Sequence, residues 1–118
     1  MKYLCLIYDD ETRWDRMSQE EATAGYGKYR TFTDGIRSSG HYLNGNPLKP
    51  TSTATTVRMR NGSVSTTDGP FAETKEQLGG YYLLEAKDLA EATMIAGRIP
   101  VGENGAVEVR PIMPMAEP

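Results

Sequence analysis

The sequence holds a single cysteine, a single histidine and a single tryptophan. A lone Cys5 excludes an internal disulfide; inside the apolar run Leu4-Cys5-Leu6 it reads as a small buried hydrophobe, which suits a reducing cytoplasmic setting. A lone His41 excludes a His–His metal site within one chain, so no metal is expected. Gly25-Tyr26-Gly27 lacks the third glycine of a dinucleotide loop, and there is no nucleophile-elbow arrangement of Ser, His and Asp. No cofactor is expected. Basic residues are in slight deficit, 13 against 16 acidic ones for a net charge of -3, which excludes the clustered basic face of a nucleic-acid binder. No apolar run approaches the ~20 residues that span a bilayer. The chain opens directly into a strand rather than into a basic and then apolar leader, so no signal peptide is expected.

What remains is a 118-residue chain of ordinary globular composition, 38% apolar and 25% charged. It can fill one core without staples. Lys2 to Tyr8 reads as a strand with both faces apolar: Tyr3, Cys5 and Ile7 on one, Leu4, Leu6 and Tyr8 on the other. Asp9-Asp10-Glu11 ends it in an acidic loop that also holds Trp14. Ser18 and Glu21 have capping-box spacing. They open a helix to Ser39 whose stripe is Tyr26, Tyr29, Phe32, Thr33 and Ile36, with Gly40 as its stop. Extended structure resumes from His41 to Leu48. Thr51 to Arg60 reads as a strand, Asn61-Gly62 as a tight turn, and Ser63 to Thr67 as the return. Gly80 to Ala86 is a second strand apolar on both faces. Asp88 and Glu91 open a short helix that Pro100 ends. Ala106 to Ile112 is the last strand, and Met113 to Pro118 a frayed tail. The order predicts an α+β fold, a ferredoxin-like split β-α-β with an inserted β-hairpin.

Two helices cover one face of such a sheet. The other face, rich in Tyr and Leu, needs cover. A second copy docked face to face supplies it, making a homodimer; the alternative is the chain's own hairpin folded back.

Candidate functional residues concentrate in the loop that begins at Asp68-Gly69-Pro70. The Asp68 carboxylate either caps its own turn or, buried in a cleft, serves as general acid, general base or orienting group. Phe71 anchors the loop or stacks on a ligand. Glu73 and Lys75 either face solvent or meet a polar substrate, and Arg58 can hold an anion. Tyr26, Tyr29 and Tyr82 are the expected walls of a cleft between helix and sheet that would take a small polar or aromatic molecule. His41 reads as a hydrogen-bonded strand residue. Trp14 caps either the dimer cleft or the pocket.

The run Asp68-Gly69-Pro70-Phe71-Ala72-Glu73-Thr74-Lys75-Glu76-Gln77-Leu78-Gly79-Gly80-Tyr81-Tyr82 resembles the signature of the DGPF-type branch of the YCII-related proteins. So do Ala54-Thr55-Thr56-Val57-Arg58 and Val107-Glu108-Val109-Arg110-Pro111-Ile112. The likeness spans essentially the whole chain. It implies a dimeric α+β barrel of ferredoxin-like protomers. YCII-like proteins resemble small enzymes in which a His of the first helix pairs with an Asp in the cleft. That helix has no His here, so only Asp68 can be matched to the acidic member. The resemblance also implies a regulatory link to extracytoplasmic-function sigma factors.

Overall fold

The computed structural model describes residues 1–115; of the predicted tail, residues 116–118 lie outside the described residues. Strand β1 (Lys2–Asp9) leads through a one-turn helix α1 (Thr12–Asp15) into the long helix α2 (Gln19–Ser38) and strand β2 (Tyr42–Pro47). Strands β3 (Thr55–Arg60) and β4 (Ser63–Asp68) follow. Strand β5 (Gln77–Glu85), helix α3 (Leu89–Ala96) and strand β6 (Ala106–Pro111) complete the fold. Four strands form an antiparallel sheet in the order β2-β5-β1-β6, and β3-β4 form a separate two-stranded sheet. This is the predicted split β-α-β order with the hairpin inserted between β2 and β5.

Local chemistry explains most of the boundaries. Ser18 accepts from the Glu21 amide while Glu21 returns a bond to the Ser18 amide, so both halves of the capping box are made. These bonds satisfy two of the donors a helix start would leave orphaned. Asp88 caps α3 through the Glu91 amide at 2.9 Å. Asn61 and Gly62 both take positive φ, 50° and 78°, the combination a two-residue hairpin turn needs.

Strand β5 starts at Gln77 rather than Gly80 and α3 stops at Ala96, short of Pro100; two further departures have a clear local cause. Thr51–Thr53 form a 3-10 turn rather than the start of a strand. The Thr51 amide and hydroxyl are both drawn onto the Glu11 carboxylate, and Thr53 bonds back to the Pro50 carbonyl. Trp14 lies in α1 rather than in an open loop, because Asp10 accepts from the amide and hydroxyl of Thr12 and starts a turn there.

Tyr3, Cys5, Ile7, Tyr82 and Leu84 point to the helices and form the core with Ile36, Ala92, Ile95 and Ile99. On the opposite face Leu4, Leu6, Tyr8, Tyr81 and Leu83 are half-buried. The β3-β4 hairpin does not cover them. It packs chiefly against itself, is exposed along nearly its whole length, and stretches the chain to a flat body of 49 × 47 × 19 Å. The folded-back alternative for the hairpin is therefore not the one adopted.

Candidate functional site

A cavity of about 480 Å3 opens between α2 and the helix-facing side of the sheet. Its floor is the end of β1 with β5 and β2, from which Ile7, Asp9, Gly45 and Tyr82 face in. Tyr29, Thr33 and Arg37 reach it from α2, Trp14 from α1, and the segment from Pro47 to Pro50 forms the rim.

Aromatic contacts set its walls. Trp14 and Tyr26 stack with centroids 5.1 Å apart. Gly25 makes room for this: a Cβ there would lie 2.9 Å from Trp14 Cη2. Tyr82 meets Phe32 and Tyr42 edge-on at 5.2 and 6.4 Å, and the Arg37 guanidinium lies 4.6 Å from the Tyr42 ring centroid. Gly45 sits beneath the Tyr82 ring, so close that a Cβ would be 2.7 Å from Cδ1.

Polar groups in the cavity are mostly committed to one another. The Thr33 hydroxyl donates to the Tyr29 carbonyl at 2.8 Å. Having one proton, it must then accept from the Tyr82 hydroxyl, 2.7 Å away. Asp9 is buried and accepts three bonds. These come from the Asp10 amide at 2.9 Å, Arg13 Nη2 at 2.6 Å and the Gly102 amide at 3.0 Å. It is a strut tying α1 and the 101–105 loop to the sheet, and its oxygens have little capacity left for a ligand. Arg13 Nε is buried without a partner, an unmade bond within the same strut.

The Tyr29 hydroxyl, by contrast, has no hydrogen-bond partner among the described residues. Burial, helped by the negative charge of Asp9, pushes its pKa up to about 12. At neutral pH it is a neutral phenol able to donate into the cavity. Burial likewise raises Tyr82.

Comparison with known proteins adds the lineage. The family model of the YCII-related domain matches residues 1–116. The chain belongs to the YCII-related family. Among its relatives is an uncharacterized protein of Rhizobium meliloti (strain 1021), 35% identical over 114 residues that cover 95% of this chain and 92% of that protein.

Within this YCII-related fold the predicted site residues separate into two groups. Tyr26, Tyr29 and Tyr82 line the cavity together, and Trp14 joins them. Asp68, Arg58, Phe71, Glu73 and Lys75 are all exposed and lie on the hairpin or the loop after it, outside that lining. The Asp68 side chain makes no hydrogen bond among the described residues. Its turn is held instead by the Gly69 amide on the Ala54 carbonyl and the Thr56 hydroxyl on the Gly69 carbonyl, both 2.8 Å. Gly69 sits at φ +104°, a conformation that favours glycine. Arg58 lies over Phe71, 5.1 Å from its centroid. The loop closes on itself through Gln77 Nε2 to the Thr74 carbonyl and the Thr74 hydroxyl to the Glu76 carbonyl.

His41 is a staple outside the cavity lining. Its Nδ1 lies 2.7 Å from Ser39 Oγ and its Nε2 3.1 Å from Glu91 Oε1, joining the end of α2 to α3. Among the described residues no three His, Cys, Asp or Glu side chains gather to hold a metal ion, and no helix is long and apolar enough to cross a membrane.

The sequence reading missed Asp9, Thr33, Arg37 and Gly45 as site residues. For Asp9 a signal existed: it falls in phase with Tyr3, Cys5 and Ile7, so strand alternation alone aims its carboxylate at the core face. A second depression of about 670 Å3 runs along α2 past Gly27, Gly35 and Arg98. It is an open groove with Phe32 as its one aromatic among the described lining residues and without the polar network of the first.

Proposed function

We propose that this protein binds a small planar molecule in the cavity between α2 and the sheet, within a cytoplasmic homodimer. The observation that carries the reading is the Tyr29 hydroxyl: a neutral, half-buried donor without a protein partner among the described residues, set among Trp14, Tyr26 and Tyr82. Aromatic walls favour a flat ring by stacking, and a free phenolic donor between them favours an acceptor oxygen on that ring. Arg30, Arg37 and Lys49 line the cavity together with Asp9, Glu11 and Asp15; Asp9 is held by Arg13 and Glu11 by Thr51. A phenol or another small hydroxylated aromatic fits this mixed lining. Cavities of about this size, mostly apolar with a few placed polar groups, are the usual form of small-ligand sites.

The homodimer follows from the uncovered sheet face. Leu4, Leu6, Tyr8, Tyr81 and Leu83 lie opposite the helices, and pairing two such faces gives the dimeric α+β barrel that the family resemblance implies. The role assigned to Asp68 as acid, base or orienting group would require it to reach a cavity, and it lies outside the lining of its own chain's cavity.

Trp14 is the only tryptophan and sits in the cavity wall, so its fluorescence reports occupancy. Titration with a panel of hydroxybenzoates and simple phenols should give saturable quenching for at least one compound. Tyr29→Phe should weaken that compound about 5–15-fold, the worth of one hydrogen bond of about 1–1.5 kcal/mol. If quenching saturates and Tyr29→Phe leaves the affinity unchanged, the proposed donor role is wrong.

A further inference from the structure

We infer that the β3-β4 hairpin is a clasp for a second copy of this chain, packing its apolar face onto the partner protomer rather than onto its own. The inference rests on the homodimer proposed above and extends it to a surface outside the sheet.

The hairpin is two-sided. Val57 pairs with Thr66 and Met59 with Val64, so Val57, Met59 and Val64 share one face by strand alternation. Arg58, Arg60 and Ser65 share the other. Val57, Met59 and Val64 are 63%, 67% and 61% exposed. Together they leave on the order of 300 Å2 of apolar surface in water, a patch on the scale that in a monomer is often an interaction site.

A two-stranded hairpin alone is marginal in water. This one gains almost nothing from its own chain: nearly all of its packing is one strand on the other. Its cover must therefore be present whenever the protein is folded. A second copy meets that condition at fixed stoichiometry, whereas an occasional partner does not. The hairpin patch adds to the uncovered sheet face towards the roughly 800 Å2 per partner of a standard interface, and a two-fold arrangement buries both kinds of surface on both copies at once.

Reach is adequate. Six residues per strand extend the arm roughly 20 Å from its root at ~3.3 Å per residue. The root itself is fixed by Thr51 on Glu11 and by Gln77, whose Oε1 accepts from the Glu11 amide at 3.0 Å. The clasp is thus held rigidly at its base and free along its length.

The test is a triple variant, Val57→Thr, Met59→Gln and Val64→Thr, which keeps strand-forming residues at both valines. Sedimentation equilibrium on the full chain should give a dimer dissociation constant at least about tenfold weaker than wild type. Hydrogen exchange of the wild type should show Val57–Arg60 and Ser63–Thr66 gaining protection as concentration drives dimerisation; this measurement decides the matter if the variant does not fold. A dimer whose dissociation constant is unchanged in the variant overturns the clasp and leaves the sheet-face dimer standing. Wild type that stays monomeric at every concentration overturns both.

Discussion

A single methyl group placed at Gly45 should distort the cavity, while the same methyl at Gly27 should strengthen the protein. In Gly45→Ala the new Cβ would lie 2.7 Å from Tyr82 Cδ1, 3.1 Å from Tyr82 Cε1 and 3.1 Å from the Tyr81 carbonyl oxygen. The carbonyl belongs to the paired strand and cannot retreat, so the ring must move. Tyr82 is wedged between Phe32 and Tyr42, and its hydroxyl is tied to Thr33. Overpacking of this kind costs about 1–3 kcal/mol, and loosening the Thr33 bond about 1 more. Against this stands the lower entropy of an unfolded chain with one glycine fewer, worth up to ~1 kcal/mol. The steric effect wins, for a net loss of about 2 kcal/mol. For a chain of this length that is a Tm lower by roughly 6–10 °C. Gly27 lies mid-helix, and a Cβ there would meet nothing within 4 Å, so Gly27→Ala should gain about 0.5–1 kcal/mol. Thermal melts and urea titrations of the two variants read the difference directly. If Gly45→Ala is as stable as wild type, the Tyr82 ring is not held as described and the cavity floor is softer than its close contacts imply.

Two further outcomes follow from the buried groups. Asp9→Asn removes the charge that holds Arg13 and weakens the bond to the Gly102 amide; with Arg13 about a quarter exposed, the loss should be about 2–3 kcal/mol, below the full cost of breaking a buried pair, and the Gly102 amide should lose hydrogen-exchange protection. Burial raises the Cys5 thiol from 9.0 to about 11, and Tyr29 rises from 10.0 to about 12. Between the unfolded and folded values the unfolded chain binds fewer protons, so stability falls as pH rises. It should be unaffected by these groups below pH 9 and then decline by up to about 1.4 kcal/mol per pH unit for each group as pH rises towards 12. Urea titrations in Cys5→Ala should lack the part of that slope between pH 9 and 11.

The elements are legible in the sequence where local chemistry decides them. Ser18 with Glu21, Asp88 with Glu91, and Asn61-Gly62 each name a boundary through two or three adjacent residues. Alternation in Lys2–Tyr8 and Gly80–Ala86 sorts the side chains onto two faces, because β-period patterns need no knowledge of the partner strand; which face meets the helices is decided by packing. The cavity is legible only in part. Its tyrosines stand out on the helix stripe and on β5, yet Asp9, Gly45 and Thr33 gain their roles from contacts across the chain: Gly45 through the ring of Tyr82 on the neighbouring strand, Asp9 through an amide 93 positions away. Asp68 stands out in the sequence because a dense run of breakers and charges is conspicuous in one dimension. In three dimensions that run is the root of an exposed arm. Thr51–Thr53 reads as strand from its threonines, whose β preference yields to the two bonds Thr51 makes to Glu11.

The most direct measurement is a crystal structure of the wild-type protein grown with the tightest compound from the Trp14 titration. Ligand density is expected between Trp14 and Tyr82, with an oxygen in hydrogen-bond range of the Tyr29 hydroxyl. Density beside Asp68 and Phe71, with the space between α2 and the sheet empty, would contradict the proposed site.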